Sequence, residues 1–286
     1  MDNLKAKKRH PEEIAVYTAI YVCAAFSVLL LLGIIIYVFA KGARRVNWAF
    51  LTGVTSILHG TVGIAGNILN TLIIILLTMI ITTPIGVGAA IYLNEYAKPG
   101  KLVTVIIFAT ETLAGIPSII FGLFGMLFFG QLCHMGYSLL TGSLTLTLMV
   151  LPLVTRNTQE ALKTVPDSFR TGAVGLGAGK WYTIRTILLP SAMPGIVTGV
   201  ILAIGRIIGE SAALLFTAGS AHLLPKTFDA FLEKIFHSGG TLTTQLYLSA
   251  SKGEFEVAFG IAVVLLVIVL LINFGTKRLA KKLEKH

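Results

Sequence analysis

The chain alternates between long apolar stretches and short polar segments. A helix needs about 20 residues to cross the ~30 Å hydrocarbon core of a bilayer. Stretches of that kind lie at roughly 16–40, 67–93, 102–130, 139–155, 188–218 and 256–275. The first is too long for the core of a signal peptide and lacks a small-residue cleavage site, so we expect it to be retained as a span. The pattern predicts an all-α polytopic membrane protein with six transmembrane helices.

Two of the six stretches are longer than the bilayer requires and contain residues that interrupt helices. The third includes Gly115-Ile116-Pro117, and the fifth includes Pro190 and Pro194. Proline removes a backbone donor and clashes with the preceding turn. We therefore expect each of these two spans to contain a tilted, bent or interfacial portion.

The positions of Lys and Arg predict the orientation. With the N-terminus inside, sixteen of the 23 basic residues fall on the cytoplasmic side, six fall outside, and Arg206 lies within a span. The positive-inside rule favours this arrangement, with both termini cytoplasmic. Lys41, Arg44 and Arg45 are a local exception in the first outer loop.

Composition supports an integral membrane protein. The 286 residues are 55% hydrophobic and 13% charged, and the mean hydropathy is +0.85; soluble domains are far less apolar. No large soluble segment interrupts the spans, so we expect a single transmembrane domain over residues 1–286. The net charge of +10 does not indicate nucleic-acid binding, because the basic residues flank apolar runs rather than forming one face. Cys23 and Cys133 fit neither a metal cluster nor a disulfide framework, so no metal site is expected.

Ionisable residues inside the spans are the candidates for a transport path. Arg206 and Glu210 are four residues apart, so we expect them to share one helix face at membrane depth. Charges there face a bundle interior or a watery path, paired with each other or with a substrate. The fork of donors on an arginine matches the oxygens of a small oxyanion, and Glu210 would hold Arg206 while the site is empty. The alternative is a salt bridge that locks the fifth span to a neighbour.

Glu111 in the third span is the next candidate. It is either a second partner for Arg206 or a protonated carboxyl that hydrogen-bonds to backbone freed at Gly115-Ile116-Pro117. The glycine pairs Gly195/Gly199 and Gly205/Gly209 allow close helix approach, either at a subunit interface or within the subunit.

The polar segment 156–187 is the candidate docking surface, and it is called the coupling loop below. Small side chains add little bulk to a helix surface, so the helix fits into a groove on a partner protein. Gly177 is free to take the positive φ that ends one helix and begins the next. Leu176 and Trp181 would be apolar anchors. The alternative is an amphipathic helix on the lipid surface with Trp181 at the headgroups. The small residues are Gly172, Ala173, Gly175, Gly177 and Ala178.

The spacing of this loop resembles that of a known family. Gly177, nine residues, Ile187, one residue and Leu189-Pro190 resemble the "EAA" loop of binding-protein-dependent ABC importer permeases, E-A-A-x3-G-x9-I-x-L-P. Thr171-Gly172-Ala173 stands where Glu-Ala-Ala is usual, so the acidic residue is absent. This motif alone indicates an ABC importer.

A longer resemblance, over about 63–271, is more specific. The segments GVGAAIYLNEY (86–96), LAGIPSIIFGLFG (113–125), LPSAMPGIVTG (189–199) and GRIIGESA (205–212), with Glu160-Ala161-Leu162 and Val165-Pro166, resemble the phosphate-specific ABC importer permeases of the PstA type.

This resemblance implies a type I permease fold of ABC importers in a bacterial inner membrane. It implies a subunit without catalytic residues, because ATP and Mg²⁺ belong to a partner ATPase and the chain has no GxxxxGK[ST] phosphate-binding loop. The implied partners are a second permease of the PstC type, an ATPase dimer of the PstB type, an external phosphate-binding protein, phosphate and lipids. Arg206, Glu210 and Glu111 would line the substrate path. ATPase coupling would fall to Gly172, Ala173, Leu176, Gly177, Ala178 and Trp181.

Three other functions remain open on the sequence. The first is a permease for another oxyanion such as molybdate, sulfate or phosphonate. The second is an ion-gradient-driven secondary transporter that uses Glu111, Arg206 and Glu210. A scaffold or sensor that keeps the docking surface without transporting is the third.

Overall fold

The computed structural model describes residues 11–56, 61–225 and 227–283. The basic residues used for orientation at Lys5, Lys7, Lys8, Arg9, Lys226 and Lys285, and both chain termini, lie outside those ranges.

The described residues form helices and one small antiparallel hairpin. In chain order these are α1 (Pro11–Gly42), α2 (Trp48–Thr52), β1 (Val54–Ser56), β2 (Thr61–Ile64), α3 (Ala65–Ile91), α4 (Lys101–Gly115), α5 (Ser118–Gly125), α6 (Leu139–Lys163), α7 (Asp167–Gly175), α8 (Lys180–Thr183), α9 (Leu189–Ile208), α10 (Ala212–Thr217), α11 (Phe228–Glu233), α12 (Leu242–Ser251) and α13 (Phe255–Leu283). Three π-helical segments, Tyr92–Tyr96, Met126–Leu132 and Ile184–Leu188, and two 3₁₀ segments, Ala43–Arg45 and Lys234–Phe236, extend some of these helices.

Six spans are consistent with this arrangement. Within the described residues, five helical stretches are long and apolar enough to cross a membrane, and a bent pair brings the number to six if it counts as one span. The stretches are Ala15–Arg45, Ala65–Tyr96, Leu139–Lys163, Lys180–Ile208 and Phe255–Arg278, and the bent pair is Lys101–Gly115 with Ser118–Leu132. The predicted all-α polytopic fold is confirmed.

The expected break in the third span is confirmed. Helices α4 and α5 meet at an angle of 104°. Ile116 has an extended backbone with ψ of 130°, as a residue before proline prefers. Pro117 then begins α5 from φ −59° and ψ 141°. The bend therefore follows directly from the Gly-Ile-Pro sequence.

The fifth apolar stretch differs from the prediction at both ends. The helix begins at Lys180, eight residues before the predicted start, and it ends at Ile208 rather than near residue 218. Residues 209–211 interrupt it, and the short helix α10 follows. Gly209 stands at this C-terminal boundary, and glycine is a weak helix former.

The core forms where α3, α6 and α9 pack together. Ile74, Leu146, Val150, Ala203 and Ile207 are among its buried side chains.

Two glycines of α9 bring that helix against α6. A Cβ on Gly195 would lie 2.5 Å from Ala161 Cβ, and one on Gly199 would lie 2.6 Å from Asn157 Cβ. This glycine pair therefore serves packing within the subunit. Gly205, by contrast, meets nothing within 4 Å.

Polar contacts secure the end of the bundle at which α3, α6 and α13 begin. The amide nitrogens of Asn67 and Asn70 both donate to Gly240 O, at 3.0 and 2.9 Å. Lys234 is buried there and donates to Leu223 O. Burial lowers the pKa of this ammonium. The coupling loop lies at the opposite end, where α3 and α6 finish.

Candidate functional site

A cavity of about 350 Å³ opens along one face of α6. Its lining runs from Met149 to Lys163 on that helix, a distance of ~21 Å at 1.5 Å per residue. Helix α4 forms the facing wall with Ile107, Thr110 and Glu111. The cavity therefore extends from mid-membrane depth to the end of α6 that carries the coupling loop.

Five charged side chains line this cavity. Three are basic and two are acidic, so the formal charge of the lining is positive, with Arg156, Lys163, Arg206, Glu111 and Glu160 as its members. Lys163 and Glu160 form an exposed salt bridge at 3.1 Å. Such a pair contributes little to stability, because water screens both ends.

The structure brings together Arg206 and Glu111, which the sequence proposed as partners. Both line the cavity and both are exposed in the isolated chain. Among the described residues neither has an ion-pair partner.

The prediction that Arg206 and Glu210 share one helix face is wrong. The spacing of four residues presumes a continuous helix, but α9 ends at Ile208. Glu210 is buried, and its Oε1 accepts a hydrogen bond from Ala213 N at 3.0 Å. Its backbone carbonyl accepts from Thr243 Oγ1 at 2.8 Å. Glu210 thus caps α10 and joins it to α12 instead of pairing with Arg206 or lining the cavity.

Sequence reasoning missed Arg156 and Lys163 as cavity residues, since both were assigned to the coupling loop. Helix α6 instead continues to Lys163, eight residues beyond its predicted end. Pro152, Arg156, Gln159 and Lys163 follow one another at intervals of three or four. That is the spacing of one helix face, and it was a readable signal in the sequence.

The predicted coupling loop, residues 156–187, therefore begins with the last two turns of α6. Within it α7 and α8 form a helix–turn–helix, and the turn is made at Gly177 with φ of +80°. This left-handed conformation favours glycine, so the predicted turn is confirmed. Leu176, at the tip, is 91% exposed.

The other predicted coupling residues divide by burial. Gly172 and Trp181 are exposed, and Ala178 is half-buried. Ala173 is buried, so it packs within the subunit and is not on the exposed surface. Thr171, which replaces the usual glutamate, directs its hydroxyl to Asp167 O and Ser168 O.

Arg170 on α7 fastens the coupling loop to two spans. Its Nη2 lies 2.9 Å from Glu95 Oε1 in the π-helical end of α3. The same guanidinium donates to Leu162 O and Val165 O, both at 3.0 Å, near the end of α6. Hydrogen bonding to Glu95 raises the pKa of Arg170, and the charges of Glu95 and Asp167 add to this effect.

The described residues contain no group of three or more His, Cys, Asp or Glu side chains placed to hold a metal ion.

Comparison with known proteins identifies the family. Residues 82–286 match the binding-protein-dependent transport system inner membrane component family. The chain belongs to this family. It is therefore a non-catalytic, multi-pass inner-membrane component of an ABC importer.

Individual relatives agree with this assignment. The chain is 35% identical over 273 residues to the probable ABC transporter permease protein YqgI of Bacillus subtilis, covering 92% of this chain and 93% of that protein. It is 35% identical over 243 residues to the phosphate transport system permease protein PstA of Xylella fastidiosa, covering 84% of this chain and 82% of the relative. The resemblance to PstA-type permeases is confirmed.

A solved structure supports the fold of this permease. The bacterial alginate ABC transporter, determined with its periplasmic protein bound to alginate pentasaccharide, superposes with a TM-score of 0.71 at 14% identity. The match covers 96% of each chain. The ABC importer permease fold is thus confirmed over nearly the whole length.

Proposed function

We propose that this permease is the membrane subunit of an ATP-driven importer of inorganic phosphate. The observation that carries the proposal is the cavity in which Arg156, Lys163 and Arg206 line one route with Glu111 and Glu160. The cavity forms half of the translocation path, and a second permease closes the other half.

The chemistry of this cavity suits a small oxyanion. Arginine offers a planar fork of donors that matches two oxygens of a phosphate. Glu111 and Glu160 keep the lining from becoming so positive that a divalent anion would bind without leaving. Conduction requires binding weak enough for release. The relatives named as phosphate transport permeases support phosphate as the ion.

The partners follow from the exposed surfaces. The coupling loop presents Leu176 and Trp181 around the turn at Gly177, and we propose that these enter a groove on an ATPase dimer of the PstB type, which carries the ATP and Mg²⁺. A second permease of the PstC type faces the cavity, and an external phosphate-binding protein delivers the ion. Both termini and the coupling loop are cytoplasmic in this proposal, in agreement with the distribution of Lys and Arg.

Arg206 holds the anion in this scheme, Glu111 lines the same cavity and limits its positive charge, and Glu210 supports the path through α10. ATPase closure presses on the coupling loop and tips the spans outward, and hydrolysis returns them. The cavity reaches the coupling-loop end of α6, which corresponds to the state that releases its ion to the cytoplasm.

Reconstitution tests this proposal. The chain is purified with its partners by gentle detergent extraction and placed in proteoliposomes that contain the external binding protein. We expect an ATPase to co-purify and labelled phosphate to accumulate only with ATP, with little competition from sulfate, molybdate or phosphonate. Preferred uptake of another oxyanion would contradict phosphate as the substrate. Uptake driven by an ion gradient without a bound ATPase would contradict the ATP-driven importer.

A further inference from the structure

The ion pair between Arg170 on α7 and Glu95 at the end of α3 is more buried than the other ion pairs near the coupling loop. The Glu95 side chain is 8% exposed and that of Arg170 is 23% exposed. Asp167, the other acidic partner of Arg170, is 93% exposed. A shielded charge pair is stronger than an exposed one, and removal of one partner leaves the other unpaired away from water.

The guanidinium of Arg170 joins three elements at one point. Its Nε and Nη2 both reach the Glu95 carboxylate, with Nε 3.3 Å from Oε1 and 3.5 Å from Oε2. The same group donates to the backbone carbonyls of Leu162 and Val165. A fork of donors fixes orientation as well as distance. One side chain on α7 therefore holds the ends of α3 and α6.

Two further contacts strengthen the α3 side of this junction. Asn94 Nδ2 donates to Glu95 Oε1 at 2.7 Å, which restrains the carboxylate. Lys180 at the start of α8 lies 4.7 Å from the centre of the Tyr96 ring, a distance at which a cation is attracted to the ring face. Both helices of the coupling loop thus rest on the same π-helical segment of residues 92–96.

The elements that meet at this junction also line the cavity. Helix α6 supplies the wall from Met149 to Lys163, and Leu93, two residues before Glu95, lines the cavity from the α3 side. If Arg170 transmits a displacement of α7 to α3 and α6, the cavity walls therefore move with it. If it does not, only the coupling loop moves.

We propose that the Glu95–Arg170 pair is the positioning contact that transmits motion of the coupling loop to the walls of the cavity. This inference rests on the proposed function, because it presumes that an ATPase pushes on the coupling loop. Neither residue touches the transported ion.

The test compares Glu95→Gln with Asp167→Asn in the complete reconstituted complex. Glu95→Gln keeps the side-chain volume but removes the charge that holds the guanidinium to α3. Asp167→Asn removes the other, exposed ion pair of the same arginine without affecting α3, and it is the matched control. Phosphate taken up per ATP hydrolysed is measured for each variant. Arg170→Lys is a second variant that keeps the charge and loses the fork.

We expect Glu95→Gln to lower uptake per ATP by about fivefold or more, the usual range for loss of coupling between two sites, with ATPase still bound and hydrolysing. Asp167→Asn should keep the wild-type ratio, and Arg170→Lys should fall between the two. A pair that only stabilised the fold would lower the yield of complex and leave the ratio of uptake to hydrolysis unchanged. That result would overturn the inference.

A distance measurement separates failure of this inference from failure of the proposed function. Spin labels at Lys98 and Ser168, both exposed, report the position of α7 against the end of α3 after Cys23→Ser and Cys133→Ser remove the native thiols. We expect a narrow distance distribution in the wild type and in Asp167→Asn, and a broad one in Glu95→Gln. Equal widths would refute the junction whatever ion the complex carries. If the wild type binds no ATPase or carries no phosphate, the proposed function fails, and these widths still decide whether the pair holds α7.

Discussion

Glu210 shows that the role of a side chain depends on where its helix ends. The carboxylate lies four residues after Arg206, but it caps α10 through Ala213 N and is buried away from the cavity. A capping acceptor satisfies a backbone N–H that would otherwise be buried without a hydrogen-bond partner. Glu210 is therefore expected to act on stability, whereas Arg206 and Glu111 are expected to act on the ion.

This division predicts the effect of two substitutions at position 210. Glu210→Ala leaves the Ala213 N–H without its acceptor and should destabilise the protein by about 1–2 kcal/mol, measured by thermal unfolding in detergent. Glu210→Gln keeps an acceptor oxygen in nearly the same place, so it should retain most of the stability and of the phosphate uptake. Wild-type stability with lost uptake in Glu210→Gln would place the carboxylate on the ion's route instead.

Individual residues were predictable where one stretch of sequence held the whole signal. Arg206 and Glu111 stood out because a charge within an apolar run is costly unless it has a function. Glu95 and Arg170 are 75 positions apart, and no local pattern connects them. Their pairing depends on how α3, α6 and α7 meet in space.

At the scale of elements, the turn between α7 and α8 depends on one backbone conformation. Gly177 has φ of +80°, and a Cβ there would meet no atom within 4 Å. A side chain at this position would therefore be opposed by backbone strain rather than by a clash.

A pair of alanine substitutions isolates this backbone effect. Gly177→Ala should raise the energy of the turn by about 1 kcal/mol, displace Leu176 from its exposed position and lower the amount of ATPase that co-purifies. Gly175→Ala adds the same methyl group where φ is not positive and where a Cβ also meets open space. It should retain ATPase at the wild-type level. Equal retention by the two variants would show that the shape of the turn does not govern docking.

The elements themselves were largely predictable because apolar length is a strong constraint in a bilayer. The bend after Gly115 followed from Pro117. The end of α6 and the start of the fifth span were wrong, because polar residues at helical spacing continue a helix beyond the membrane. The end of the fifth span was wrong for the opposite reason, because the helix stops at Ile208 before the apolar run does. Hydropathy marks where the apolar run stops, not where the helix does.

At the scale of the whole molecule, the isolated chain leaves a charged surface uncovered at membrane depth. Arg206 and Glu111 are exposed, and no residue of α4 is buried. Lipid tails cannot stabilise those charges, so a protein partner or water must face them. This is the physical reason for proposing that the path is shared with a second permease.

The most direct test of the account is ATP-driven phosphate uptake by the assembled complex with Arg206→Gln. Arg278→Gln is the matched control, because Arg278 is an exposed arginine near the end of α13 and is not among the cavity residues. Loss of a charged donor to the ion should reduce uptake by about tenfold or more, while the ATPase stays bound and the control transports normally. Uptake at the wild-type rate by Arg206→Gln would contradict the account.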